Sequence, residues 1–421
     1  MNKNILLLAV GLLFSSMNTA NAQTVNDNEI SVIGEDGKQE IIEMPEALTT
    51  EIDSLMELYM SKSYLYIDED CKTTDVNPDF TQEEYIDRLS RMPTIIEMPY
   101  NNVVRQMIDR YTVRLRRSVA YMLGASNFYM PIFEEALEAY GLPLELKYLP
   151  VIESALNPIA VSRAKATGLW QFMLATGKQY GLKVNSLVDE RCDPIKSSYA
   201  AAHFLSDLYK IFGDWHLVIA AYNCGPENVN KAIRRSNGVK DYWQIYPYLP
   251  KETRGYVPAF IAANYVMTYY CDHNICPMRT QLPIYTDTLM LDKNVHFDQI
   301  AAYCGIAVEH IKSLNPSYRK NIIPGQTELS TLRLPQAYVG KFIDNEDSIY
   351  VYKKDALLPN RAVVAVNDKE VGYSGARYHR VTSGQTLGGI ARRYGTTVSK
   401  LKRLNGLRNN NIRVGRRLRV K

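Results

Sequence analysis

The chain has no apolar run long enough to cross a bilayer: Ile5 to Phe14 is ten residues, and no later stretch is longer and as apolar, where about twenty are needed. It has no CxxC pair and no HExxH motif, and its six histidines are scattered. The ligand spacings of zinc sites are therefore missing, and no metal or other cofactor is expected. Acidic residues vanish from the end of the chain. Between Arg377 and Lys421 there are thirteen Lys or Arg and no Asp or Glu, so the net +4 divides into −9 before Arg377 and +13 from Arg377 onward. A basic tail implies a polyanionic neighbourhood.

Nucleic acid is the usual partner for such a tail, but the other end of the chain argues against it. Lys3, the apolar run, and the small-x-small ending Ala20-Asn21-Ala22 read as a secretory signal over residues 1–22. No cysteine follows the expected cleavage point, so a lipid anchor there is not indicated. The mature protein is expected outside the cytoplasm, in the periplasm or cell envelope, with no transmembrane segment and no nucleic-acid partner. An exported chain permits disulfides. Six cysteines (Cys71, Cys192, Cys224, Cys271, Cys276 and Cys304) allow fifteen complete pairings. Cys271 and Cys276 are close enough in sequence to close a small loop, and free buried thiols fit equally well.

Residues 23–99 are acidic and irregular, with one amphipathic helix expected over Glu46 to Met60 and a role as a tether or strap. Residues 100–276 read as a mainly α domain. Val103, Val104, Met107, Ile108, Tyr111, Leu115, Val119 and Met122 recur at helical spacing. A second helix is expected over Pro131 to Tyr140, with further apolar helices near Ser198 to Phe212, Trp215 to Asn223 and Tyr256 to Tyr270. Beyond Cys276 a repeat appears at an offset of ninety residues. Ile300-Ala301, Gly305, Val308, Lys312, Leu314-Asn315, Asn321-Ile322 and Gly325 recur as Ile390-Ala391, Gly395, Val398, Lys402, Leu404-Asn405, Asn411-Ile412 and Gly415. Each copy reads as strand, two short helices, strand, over residues 280–340 and 376–421. The interval 341–375 reads as a linker containing a strand-like Ser348-Ile349-Tyr350-Val351-Tyr352 and the breakers Gly372, Ser374 and Gly375.

Chemistry concentrates at Leu146–Met173. Glu153 follows the apolar approach Tyr148-Leu149-Pro150-Val151-Ile152. A carboxyl in such company resists ionisation, which suits a general acid near neutral pH. The plainer reading is an exposed acid at a helix end. Ser154, Ser162, Gln171 and Met173 follow Glu153. Ala221-Tyr222-Asn223-Cys224-Gly225 closes an apolar helix, and Glu252-Thr253-Arg254-Gly255-Tyr256 opens another. Taken singly, Tyr222 and Tyr256 fit packing roles and Asn223 fits a helix cap.

In this order, within a helical domain, these motifs resemble the catalytic domain of the soluble lytic transglycosylases. Within that family they are most similar to the membrane-bound type D branch, which joins it to LysM modules. The resemblance implies a goose-lysozyme-like, mainly α domain followed by small βααβ modules that bind peptidoglycan glycan strands. It implies Glu153 as acid and base. Ser162 and Gln171 would position the sugar and the acid, Met173 would line the cleft, and Ser154, Tyr222, Asn223 and Tyr256 would stand around it. Lys165 departs from the family, where Gly is common. In the second repeat, Tyr378-His379-Arg380-Val381, Gly384-Gln385-Thr386-Leu387 and Tyr394-Gly395-Thr396-Thr397-Val398 resemble LysM, with Gln385 for Asp and Gly388 for Ser. The first repeat is a degenerate copy.

The implied reaction is non-hydrolytic cleavage of the MurNAc–GlcNAc β-1,4 bond with formation of 1,6-anhydroMurNAc ends. Two alternatives stay open. A lysozyme-type hydrolase needs a second carboxylate, for which Asp189 and Asp193 are available. A non-catalytic glycan-binding scaffold needs none.

Overall fold

In a computed structural model, residues 29–33, 39–45, 65–67, 76–358 (except 281 and 284) and most of 378–420 are described. The signal at 1–22, the helix expected over 46–60, Cys71, Gly384 and the breakers of 372–375 lie outside them. The chain resolves into two compact units, one of residues 1–157 with 202–281 and one of 158–201 with 282–421.

The first unit is mainly helical. Asn102–Asp109 is capped by the Asn101 side chain, which accepts from the Val104 amide at 2.9 Å. A π-helical turn, Arg110–Arg114, separates it from Arg116–Ala139. The second helix expected to start at Pro131 is instead the continuation of this one, with Pro131 inside it. Tyr129, Met130, Phe133, Ala136 and Leu137 are buried on both sides of that proline, and their packing outweighs the roughly 3 kcal/mol an interior proline costs. Two helices matter most for chemistry. The acid helix, Leu149–Ser154, is short and begins with Pro150 in its first turn. The tyrosine helix, Lys251–Tyr269, is buried along most of its length from Thr253 to Met267. Trp215–Cys224 is capped by Asp214 and ends at Gly225.

The N-terminal extension contributes a hairpin, Glu29–Ile33 against Gln39–Glu43, in antiparallel register. It packs on the tyrosine helix. A Cβ on Gly255 would lie 2.6 Å from the Glu43 carbonyl oxygen, so a side chain there would push the hairpin away. Glu40 also forms an ion pair with Arg254. The described part of the N-terminal extension thus includes a hairpin held against the tyrosine helix.

The second unit holds the two repeats. In the first, Thr286–Leu291 pairs antiparallel with Ser330–Pro335, and Asn294–His296 with Ile322–Pro324. The helices Phe297–Cys304 and Val308–Leu314 lie between them in sequence, and Leu291, Val295, Phe297, Ile300, Ile311, Ile323 and Leu332 form the core. The second repeat has Tyr378–Arg380 paired with Arg417–Arg419 around a separate core of Val381, Leu387, Ile390, Leu401 and Leu418. The segment 348–352 is not a strand. Glu346–Val351 is a helix whose first turn carries Glu346 and Asp347, acids that favour a helix N-terminus, with Ile349 and Tyr350 buried side by side.

The short Cys271–Cys276 loop, left open by the sequence, does not form. Cys276 is disulfide-bonded and nearly buried, while Cys271 is an exposed free thiol, as Cys192, Cys224 and Cys304 are free. Ile275 and Cys276 are both buried, whereas Cys271 is exposed, so the two cysteines sit in different surroundings.

Candidate active site

Glu153 occupies the last turn of the acid helix, which stops abruptly because Ala155 and Leu156 both take left-handed backbone (φ 49 and 61). Non-glycine residues avoid that region, and such departures gather where a structure holds a side chain in a set place. The Glu153 carboxyl is densely surrounded, although the residue keeps part of its surface open. Burial pushes its pKa from 4.5 up to about 8. A hydrogen bond from the Tyr256 hydroxyl to Glu153 Oε1 works against that rise, and the charge of Glu252 adds to it. The poorly solvated acid is what the structure contains, and the exposed helix-end residue is not.

Tyr256 is buried, and its own hydroxyl is held neutral far above the ordinary tyrosine range by burial and by the neighbouring Glu153. It donates throughout the working pH range. Removing that donor should therefore raise the Glu153 pKa. A Tyr256→Phe variant is expected to shift the alkaline limb of a pH–rate profile upward by about one unit, with a lower maximal rate. An unmoved limb would show that this bond does not reach the working acid.

Tyr222 is half-buried, with its ring tilted on Phe204 at 5.2 Å between centroids. Burial and the Glu153 charge raise its pKa as well, so it too is a neutral hydroxyl near the acid. Asn223 accepts a 2.8 Å hydrogen bond from Thr253 Oγ1, which joins the two motifs through their own side chains. Thr253 was not singled out from the sequence; its place beside Glu252 in a short motif was the available signal. Ser154 is fully buried, and its hydroxyl donates to the Pro150 carbonyl at 3.0 Å.

The remaining predicted residues belong to the second unit. Lys165 has a φ of 66, so a left-handed turn does sit where the family carries Gly. Ser162 Oγ accepts from the Ala166 amide at 3.0 Å. Gln171, itself at a φ of 47, donates through its side-chain amide to the carbonyls of Gly168 (2.8 Å) and Ala160 (3.2 Å). Met173 is exposed, at 41%. Gly168 has a φ of 90, and a Cβ there would lie 1.8 Å from the Arg191 carbonyl oxygen.

The two acids reserved for a hydrolase have other work. Asp189 is buried; its carboxylate receives Arg191 Nε and Nη2 at 2.9 Å each and Arg319 Nη2 at 2.5 Å. Burial alone would raise its pKa, but these donors and charges outweigh burial and hold it below the usual carboxylate range. Asp193 accepts from the amides of Ile195 and Lys196, at 3.0 Å each, at the start of the helix Pro194–Phe212. No group of three or more His, Cys, Asp or Glu fit to hold a metal occurs among the described residues.

Residues 130–245 match the transglycosylase SLT domain, 285–351 the LysM-like domain of the lytic transglycosylase MltD, and 379–421 the LysM domain. The chain carries an SLT domain and two LysM-type modules. It is 28% identical over 330 residues to membrane-bound lytic murein transglycosylase D of Escherichia coli, covering 77% of this chain and 70% of that protein. It is 27% identical over 199 residues to a putative soluble lytic murein transglycosylase of Haemophilus influenzae, covering 45% and 31% respectively. The 70 kDa soluble lytic transglycosylase of E. coli, a solved structure, aligns at 27% identity over 35% of this chain and 25% of that one, with a TM-score of 0.30. The SLT match begins inside the long helix Arg116–Ala139 and includes Glu153, Tyr222 and Asn223. It ends at Ile245, before the tyrosine helix that carries Tyr256.

Proposed function

We propose that this protein is an exported peptidoglycan lytic transglycosylase that cleaves the MurNAc–GlcNAc β-1,4 bond without water, using Glu153 as its single acid and base. The observation that carries this reading is the buried Glu153 carboxyl, its pKa pushed up to about 8, held by the Tyr256 hydroxyl. In the first step Glu153 gives its proton to the glycosidic oxygen and the C1–O bond breaks. The substrate's 2-acetamido oxygen stabilises the cationic C1, which removes the need for a second carboxylate. In the second step the ionised Glu153 takes the proton of the C6 hydroxyl as O6 closes on C1. The proton lost in the first step is recovered in the second, and no water is consumed. Tyr256 donates to the carboxyl throughout, so it favours the ionised form that must accumulate between the steps.

Ser162, Gln171 and Met173 are assigned to the glycan, and Tyr222 and Asn223 to the surroundings of the acid. Ser154 serves by closing the last turn of the acid helix. The commitments of Asp189 to two arginines and of Asp193 to a helix start leave neither free to act as a hydrolytic partner, which favours the anhydro product. Mass spectrometry of material released from purified sacculi tests this. Fragments lighter by one water than reducing-end muropeptides are expected, and reducing ends would overturn the mechanism.

The basic second LysM module is assigned to holding the enzyme on its polymer. Deleting residues 376–421 is expected to weaken sacculus binding about tenfold at low salt, while cleavage of short soluble chains changes less than about twofold. Equal pelleting with sacculi by both proteins would count against the assignment.

A further inference from the structure

The two LysM-type modules share core positions, such as Ile300 with Ile390 and Ile311 with Leu401, but differ in the turn at 317–319. Tyr318 forms an isolated antiparallel bridge with Val188 of the segment 182–193. The bridge is closed by Asp189 N to Ser317 O at 2.8 Å and Arg319 N to Leu187 O at 2.7 Å. Leu187 and Val188 are buried together with Ile322, against Tyr318 and Leu358. The Arg319 guanidinium then reaches the buried Asp189 carboxylate, whose other oxygen is held by Arg191. Arg191 carries the contact onward: its Nη1 donates to the carbonyls of Phe172 (3.2 Å) and Lys165 (3.3 Å). Those carbonyls stand at either end of the stretch that contains Gly168 and Gln171, and Met173 follows it. A continuous line of hydrogen bonds thus runs from the turn of the first module to the segment assigned to the glycan.

We infer that the LysM-like module of residues 285–351 braces the substrate-binding segment 158–173 of the SLT domain, with Arg319 as the positioning residue. The repeat supports this independently. Most of the ten positions kept at the ninety-residue offset are core or turn positions such as Ile300, Leu314 and Ile322, with the exposed Lys312 an exception, whereas Ser317, Tyr318 and Arg319 become Leu407, Arg408 and Asn409. The shared fold does not require the docking residues. Only the copy that meets the SLT segment has them.

A buried carboxylate between two guanidiniums is sensitive to loss of either partner, because the charge that remains is poorly compensated. Removing Arg319 leaves Asp189 with Arg191 alone. Arg191 can then follow its carboxylate away from the two carbonyls, and the segment that contains Gln171 loses its anchor.

The inference rests on the glycan-binding role given to that segment, so its test has one readout that needs no activity. In the full-length Arg319→Ala variant, hydrogen exchange at the Thr167 and Phe172 amides, which pair with one another at 3.1 Å, should accelerate about tenfold. Amides of the tyrosine helix should be unchanged. On soluble glycan chains, kcat/KM should fall by about tenfold, carried mainly by KM, with partial rescue by Arg319→Lys. Lys183→Ala removes only the exposed 2.5 Å pair with Glu328 and should leave both readouts within about twofold of wild type. Unchanged exchange at Thr167 and Phe172 in a folded Arg319→Ala protein would overturn the brace. Faster exchange with no change in KM would keep the brace but overturn its role in substrate binding. A wild-type protein inert on every glycan would instead overturn the proposed function and leave the exchange result standing.

Discussion

Replacing Glu153 with Gln is expected to reduce release of soluble fragments from sacculi by about 10³-fold or more, with glycan binding intact. The amide keeps the shape of the side chain and loses the proton that both steps require, and positioned acid–base groups typically contribute two to four powers of ten. The same variant carries a stability signature. The folded protein holds the Glu153 proton up to about pH 8, whereas an ordinary carboxyl releases it near 4.5. The stability contributed by that proton is fully present below pH 4.5 and is lost as pH rises through about 8. A glutamine does not titrate and escapes that loss. Glu153→Gln should therefore melt above wild type at pH 9, by an amount equivalent to roughly 2 kcal/mol once partial solvent access is allowed for, with the gap closing at pH 5. Loss of activity without this pH-dependent gain would mean that the acid is needed but not buried as described. Native-rate digestion by the variant would remove Glu153 from the chemistry altogether.

The second large effect is structural. Gly168→Ala is expected to destabilise the protein by about 4 kcal/mol, because two costs coincide. Its φ of 90 is strained for any L side chain, and the new Cβ would lie 1.8 Å from a backbone oxygen, that of Arg191, which cannot rotate away. Relief requires the turn and the Arg191 strand of chain to separate, which also stretches the hydrogen bonds from Arg191 to Lys165 and Phe172. Gly181 is the control. Its φ is 88 with nothing within 4 Å of a Cβ, so Gly181→Ala should cost only about 1 kcal/mol from backbone strain. Denaturant midpoints compare the two. Equal costs would show that the contact with Arg191 is slack.

How much of this was legible beforehand depended on the range of the interaction. The repeat was readable because many of its identities fall on packed positions such as Ile300 and Leu314, where local spacing and burial agree. Glu153 was readable because its apolar neighbours precede it directly. Pro131 misled because a proline reads as a boundary, and only packing on both of its sides keeps the helix whole. The segment 348–352 misled because β-branched and aromatic residues suit a strand until the acids at 346 and 347 are seen to start a helix. Asp189 was the least legible. As a letter it is one more acid near Glu153, and the arginine that completes its pairing lies 130 residues away in a different module. No local signal connects them.

The hairpin on the tyrosine helix has a consequence in time. Glu40 and Glu43 are made early, yet the residues they meet, Arg254 and Gly255, come more than two hundred positions later. Glu153 likewise waits 103 residues for Tyr256. A chain that emerges N-terminus first has its acid long before it has the helix that orients it. Any product that stops short of residue 256 carries the acid but lacks its tyrosine, so an unfinished chain is a disarmed one, and a polymer-cutting protein gains an interval of safety simply from the order of its residues.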